Sequence, residues 1–437
     1  MSGQDGAPAR IGVVADDITG ANDIGIMYAK AGYITYVYSY EGAFFLDATD
    51  GEPDVIILDT DSRFDPPEEA YRKVHAATLD LVRAGCSTFV NKTCSVGRGN
   101  IGAEFDAMLD SLDAPFAAVV LGFPKNGRLT LDGIHYVHGR KLEASEFRHD
   151  PVHPMTRSDV AGILQAQTDR RVAVLTRETI AQGTAATKAR LEELKGDAAY
   201  IVFDVEDQAA LRTIAEAVRD ERVTAGASAL SEELALVWGA KPVTAAGPGV
   251  TSRPGLGVML AAGSLMPQTA AQIEVLRGAG SAAAHELDTS RLFAPAEREA
   301  EIVRLAGALA ADLRAGRDAL VHAPNAPEAV ARTKAEGVRR GLDNKVVSRL
   351  VSGTIAQIVR RVLAETGQNR LVVAGGDTSA AVCAALGVKG MRIYREIQPG
   401  LPSCVSIGDN PLLLVLKSGS FGPPEFLLQA ADHLREA

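Results

Sequence analysis

Cysteine, aromatic residues, basic charge and long apolar runs are all scarce in this chain, and most of these shortages close off a class of protein. Four cysteines stand in 437 residues, and Cys86, Cys94, Cys383 and Cys404 form no CxxC pair. That argues against a disulfide framework and fits a reducing compartment. Lys and Arg total 45 against 55 Asp and Glu, a net charge of −10. Such a balance argues against a nucleic-acid surface or an anionic membrane as partner. No apolar stretch approaches the length of a membrane span, and Met1 to Arg10 is small and polar, without the apolar core of a signal segment. A soluble, cytoplasmic chain is the expectation. Neither GxxxxGKS/T nor GxGxxG occurs, so the common ATPase and dehydrogenase templates find no support.

What is present is a 46% hydrophobic chain with 42 glycines and 5% aromatics. That balance suits an α/β protein with many tight strand-to-helix turns. The length exceeds one typical core, so two domains are expected. Ala240 to Gly257, with its Gly-rich and Pro-rich turns, reads as the linker between a domain of residues 1–239 and one of 258–437. Within each, apolar strands alternate with helical patterns, which implies a mainly parallel sheet flanked by helices.

The opening stretch IGVVADDITGANDIG organises the first domain. Ile11 to Ala15 reads as a buried strand that stops at Asp16 and Asp17 before a helix. A carboxylate at such a strand end could act as a base toward a hydroxyl or hold a metal ion, or Asp17 and Thr19 could simply cap the helix. Two further strand ends carry polar groups. Val55 to Leu58 leads to Asp61 and Arg63, and Thr88 to Asn91 leads to Lys92, Thr93, Cys94 and Ser95. In a parallel sheet these ends share one edge. Arg63 offers a two-pronged match to a carboxylate and Lys92 a point charge, a set suited to a small polyhydroxy acid. Alternatively, Arg63 pairs with Asp59 or Asp61 at the surface, and Lys92 is a solvated strand end. Residues 124–156 read as an irregular, Pro-broken insertion lining the substrate cleft. The spacing of His135, His138, His149 and His153 fits no standard zinc pattern, so these side chains are expected to bond within the loop or to the ligand. Gly226-Ala227-Ser228 opens a helix in a way that suits an anion, or merely caps it.

The second domain restarts with a strand from Val258 to Ala262 that ends in Gly263-Ser264. Its most informative unit is Arg370 to Ala374, then Gly375-Gly376-Asp377-Thr378 and a helix from Ser379. Two glycines let backbone approach a ligand, and free N–H groups at the helix start receive phosphate oxygens. Asp377 could meet a metal ion or a ribose; alternatively Asp377 and Thr378 cap a tight turn. Leu412 to Leu416 runs into Lys417-Ser418-Gly419, a second glycine-rich exit with a cation attached. The three strand exits together suggest a nucleotide.

Four collinear motifs, ADDITGANDIG, KTCSVGRGNIGAE, AGGDTSAAV and LKSGSFG, together resemble the four-carbon acid sugar kinases. The resemblance runs over nearly the whole chain. It implies phosphorylation of threonate, erythronate or 3-oxo-tetronate by ATP with Mg²⁺, the first domain binding the sugar acid and the second ATP, in a cleft between them. It makes Asp17 the catalytic base, with Asp16, Arg63 and Lys92 to Ser95 as further substrate contacts. Ser264, Gly375 to Thr378 and Gly419 become the ATP contacts, while metal ligands stay unassigned and a homodimer is the candidate assembly. Many threonate and erythronate members carry an acid-Ser pair where this chain has Cys94-Ser95, and the oxo-tetronate members a longer insertion absent here. All three substrates therefore stay open. A non-catalytic sensor of sugar acid and nucleotide, or a dehydrogenase of the same acids, are the competing readings.

Overall fold

The computed structural model describes residues 10–46, 52–150, 152–242, 249–251 and 253–437. Parts of the expected N-terminal tail and linker lie outside these. The chain divides into two compact units, residues 1–244 and 245–437.

The first unit holds the strands β1 (Ile11–Ala15), β2 (Thr35–Ser39), β3 (Val55–Asp59), β4 (Thr88–Lys92), β5 (Ala117–Val120), β6 (Arg128–Leu131), β7 (Ile134–Val137), β8 (Arg140–Lys141), β9 (Val172–Leu175), β10 (Tyr200–Phe203) and β11 (Val223–Gly226). Its helices are α1 (Ile18–Lys30), α2 (Pro67–Arg83), α3 (Ile101–Leu112), α4 (Val160–Gln165), α5 (Arg177–Ile180), α6 (Thr184–Lys195), α7 (Gln208–Val218) and α8 (Ala229–Trp238). Eight strands form a parallel sheet in the order β2-β3-β1-β4-β11-β5-β10-β9. β1, β3 and β5 are buried throughout, as near-continuous apolar runs require when helices cover both faces. β1 sits between β3 and β4, so the chain leaves it to opposite sides, and a crevice forms outside the strand carboxyl ends at such a switch point.

The segment 124–156 departs from the irregular insertion expected of it. β6, β7 and β8 form a small antiparallel sheet. Asp132-Gly133 and His138-Gly139 turn its two hairpins with positive φ at both residues (53° and 77°; 47° and 77°), the conformation a tight two-residue hairpin demands.

The second unit holds β12 (Met259–Ala262), β13 (Ala282–Glu286), β14 (Asp318–His322), β15 (Arg370–Ala374), β16 (Gly390–Gln398), β17 (Leu401–Ser406) and β18 (Leu413–Lys417). Its helices are α9 (Pro267–Ala279), α10 (Pro295–Arg314), α11 (Pro327–Arg339), α12 (Asn344–Thr366), α13 (Gly376–Leu386) and α14 (Phe426–Glu436). β13-β14-β12-β15-β18 run parallel, and β17 and β16 add an antiparallel edge. Here again the first strand, β12, lies between the third and the fourth, which sets a second switch point between β12 and β15. Leu260, Val372, Val415 and Phe426 centre the core beneath it.

Candidate active site

In the first unit, the tips of β1, β3 and β4 bring together the acids and cations singled out in the sequence. Asp16 ends β1 with its side chain buried, and Arg63 grips it with a fork: Nε donates to Oδ2 at 2.8 Å and Nη2 to Oδ1 at 2.7 Å. The Asp16 carbonyl also accepts from the Ser62 and Arg63 amides, which pulls the loop after β3 against β1. Arg63 Nη1 donates to Asp17 Oδ2. The two-pronged match of Arg63 is thus made within the protein, to Asp16, and neither Asp59 nor Asp61 is its partner. Three of its five N–H donors point at Asp16 and Asp17.

Asp17 also caps α1: its Oδ1 accepts from the Gly20 amide at 2.7 Å and its Oδ2 from Thr19 Oγ1 at 3.1 Å. Capping and a chemical role are therefore not alternatives here. The Asp17 side chain keeps 13% of its surface open against 1% for Asp16, so Asp17 is the carboxylate of the pair that a ligand hydroxyl can reach. Burial pushes its pKa up, but the charges of Arg63 and Lys92 and the Gly20 amide outweigh that and hold it below the usual value.

Lys92 is no solvated strand end. Its buried ammonium donates to the Thr93 carbonyl at 2.9 Å and lies 3.5 Å from Asp23 Oδ2. Asp23, on α1, also accepts from Ser228 Oγ at 2.7 Å, so the hydroxyl at the start of α8 serves a buried acid rather than an anion. Burial raises Asp23 to about 6, with Lys92 and Ser228 opposing. Gly226 turns into α8 with φ 127°, where a Cβ would run into the Val120 carbonyl.

Two further acids close the cluster from below. Asp59, at the end of β3, and Glu104, on α3 and bonded by Ser62 Oγ at 2.9 Å, are both pushed well above the usual carboxylate value by burial and by neighbouring aspartates. Thr93 Oγ1 lies 3.4 Å from Asp16. Cys94 is contacted by Arg98 Nε at 3.3 Å, and Arg98 is held in turn by Asp150 at 2.6 Å and by the ring of Phe147. Burial raises the thiol, but the Arg98 and Arg63 charges bring it below its usual value.

Three of the four loop histidines are tied in. His153 Nε2 lies 3.0 Å from the Arg63 carbonyl, and its ring stacks on Phe64. His138 meets Arg128 at 2.8 Å, and His135 meets Thr130 Oγ1 at 3.1 Å. Burial and the Arg128 charge depress His135 to about 3. Among the described residues, no group of three or more His, Cys, Asp and Glu side chains is placed to hold a metal ion.

In the second unit, three glycine-rich exits meet. A Cβ on Gly375 (φ 119°) would lie 3.1 Å from the Ser264 amide, and one on Gly419 would collide with Ser264 Oγ. A Cβ on Gly263 would likewise strike Thr378 Oγ1. Ser264 therefore lies against both Gly375 and Gly419, and Thr378 against Gly263 and Gly375, at the β12/β15 switch point. α13 starts at Gly376, three residues before the Ser379 start expected, and its cap residue Gly375 offers no side chain to the first-turn amides. Those amides are left for a ligand. Asp377 stands at the surface, bonded by Ser348 Oγ at 3.0 Å. Along the same edge, Asp288, Thr289, Pro324 and Arg332 help to line a cleft of about 170 Å³ at the ends of β13 and β14.

Fold and sites thus define a two-domain α/β protein with a cluster of acids and cations in one unit and three glycine-rich strand exits brought together in the other. A family model described as a sugar-binding N-terminal domain matches residues 11–234, and one described as a nucleotide-binding C-terminal domain matches 259–427. Relatives named 3-oxo-tetronate kinase are 34% identical in Pseudomonas fluorescens and in Cupriavidus necator, each alignment covering 97% of both chains. A crystal structure from Salmonella typhimurium LT2, provisionally named a tRNA synthase, superposes with a TM-score of 0.80 at 28% identity, covering 97% of this chain and 98% of that one. The chain belongs to the four-carbon acid sugar kinase family, whose members are phosphotransferases.

Proposed function

We propose that the chain moves the terminal phosphoryl group of ATP onto the terminal hydroxyl of a 3-oxo-tetronate. The sugar acid is held at the tips of β1, β3 and β4, and the nucleotide at those of β12, β15 and β18. The observation that carries the first half is the partly open Asp17 carboxylate, fixed between Arg63 and the Gly20 amide and close to Lys92. The names of the relatives favour the oxo acid over threonate and erythronate.

In this reading Asp17 accepts the bond of the attacking hydroxyl and aims its oxygen. A depressed pKa makes it a weak proton acceptor. Phosphoryl transfer through a loose transition state demands little basicity and depends on position and charge. The two N–H groups that Arg63 does not direct at Asp16 and Asp17 are available to the substrate carboxylate, and the Lys92 charge, buried beside Asp23, biases the pocket toward anions.

The first-turn amides of α13 and the Ser264 and Gly419 backbone suit phosphate oxygens, and the cleft beside Asp288 has room for part of a nucleoside. Mg²⁺ entering with ATP is held mostly by phosphate and water and needs only one or two protein oxygens. Asp377 is the carboxylate beside these turns and fits that demand. The ion would screen the triphosphate charge.

The test is product analysis. Incubation of the purified protein with MgATP and 3-oxo-tetronate should give ADP and an acid bearing one phosphate on its terminal carbon by ³¹P–¹H correlation. Phosphate on another carbon, or turnover only with threonate or erythronate, would replace this substrate assignment.

A further inference from the structure

Lys417, the last residue of β18, is fully buried. Its ammonium donates to Thr269 Oγ1 at 3.1 Å and lies 3.4 Å from the Gly419 carbonyl. Thr269 Oγ1 donates to that same carbonyl at 2.8 Å. The three groups clamp the turn whose other side presses on Ser264. The acceptors are all neutral, although a buried ammonium ordinarily requires an anion.

The charged groups on the elements around it are engaged elsewhere. Arg370 of β15 donates to the Leu434 carbonyl. Asp377 of α13 is bonded by Ser348 at the surface, and Glu274 and Arg277 of α9 pair with each other. On α14, His433 meets Ser403 of β17, and Arg435 pairs with Asp432 and Asp318. Cys383 and Cys404 are buried thiols. Burial alone pulls Lys417 down to about 7, with no charged neighbour contributing.

Taking as given that the cradle at Ser264, Gly376 and Gly419 binds nucleotide, we propose that the missing anion is the nucleotide itself. Lys417 supplies a positive charge to its phosphates from beneath the Gly419 turn, and nucleotide binding draws a proton onto the amine. The arrangement suits a site that must release its nucleotide. The cation is costly while the cradle is empty and becomes compensated only when phosphate arrives. Lys417 acts through the Gly419 turn and its field, as a positioning residue.

Calorimetric titration of the whole chain with MgADP tests this at pH 8.5, where the nucleotide's terminal phosphate is already ionised, in two buffers of different ionisation enthalpy. The wild type should take up close to one proton per ADP. Lys417→Arg, permanently charged, should bind ADP within a few-fold of wild type with no uptake. Lys417→Met should show no uptake and at least tenfold weaker binding. Without nucleotide, its melting temperature at pH 6, where the wild-type amine is protonated, should equal or exceed that of wild type, since a buried unpaired cation has been removed. ADP binding without proton uptake in the wild type, or equal uptake in Lys417→Met, would overturn the proposal. Gly419→Ala in the same titration separates the two readings. If it leaves ADP affinity unchanged, the nucleotide cradle is misplaced and the role given to Lys417 falls with it. If it weakens ADP while wild-type uptake is absent, the role of Lys417 alone is wrong.

Discussion

Asp17→Asn separates the two jobs that the structure gives Asp17. The amide oxygen can still accept from the Gly20 amide, and Asn caps helices about as well as Asp. The amide nitrogen then faces Arg63 Nη1 and cannot accept, so the bond to Arg63 is lost, while Arg63 keeps its fork to Asp16. Losing a charge-assisted bond costs roughly 1.5–3 kcal/mol. For a unit of this size that is a melting shift of roughly 3–12 °C. Turnover should suffer far more, about 10²–10⁴-fold in kcat, because the hydroxyl loses the ionised acceptor that aims it. ATP affinity, set in the other unit, should stay within twofold. Asp17→Ala should add about 1 kcal/mol of lost capping without a further large drop in kcat. Steady-state kinetics, thermal melts and nucleotide titration on the two variants decide the matter. An Asp17→Asn enzyme within tenfold of wild-type kcat would refute the reasoning and leave Asp17 a helix cap.

Three further outcomes follow from the same geometry. Gly419→Ala should weaken ATP binding at least tenfold with little change in sugar-acid binding, because its Cβ would collide with Ser264 Oγ; calorimetry with each ligand checks this. Arg63→Lys should lower kcat/KM for the sugar acid by about 10²-fold or more, because an ammonium cannot fork to Asp16 while reaching Asp17; an unchanged value would mean the fork is dispensable. Asp23, raised to about 6 from near 3.9 unfolded, holds a proton in the fold that the unfolded chain releases between those values. Its contribution to stability is therefore full below about pH 4 and declines as pH rises through 6. The stability of Asp23→Asn relative to wild type should improve by roughly 2–3 kcal/mol between pH 4 and 7. Denaturant unfolding at both pH values measures this, and a constant difference would contradict it.

The strand tips were legible because each is an apolar run broken abruptly by charged or glycine residues, as at Ala15-Asp16 and Ala374-Gly375. Deeper partners were not. Asp23 and Glu104 fall in helical patterns where an acid ordinarily faces water, and only the fold shows them turned toward Lys92 and Ser62. Lys417 read as a cation at a strand exit, and its full burial follows from the packing of α9 beneath the turn. β13 was missed because its Ala-rich sequence lacks the β-branched residues that mark strands. The hairpins of residues 128–141 had a signal, Asp132-Gly133 between apolar residues, outweighed in the reading by the prolines on either side. Residues 93–100 show a limit of another kind: Cys94 looks inert in sequence, and Arg98, anchored by Asp150 from 52 residues away, gives its thiol an unusual setting together with Arg63.

The most direct measurement is ADP release from MgATP by the purified chain, followed with and without 3-oxo-tetronate and with threonate, erythronate and their enantiomers. ADP should form in step with a four-carbon acid, fastest with the oxo acid, and stop when Asp17 is replaced by Asn. ADP release that no four-carbon acid changes, or that Asp17→Asn leaves intact, would contradict the assignment of acid pocket and nucleotide cradle to one phosphoryl transfer.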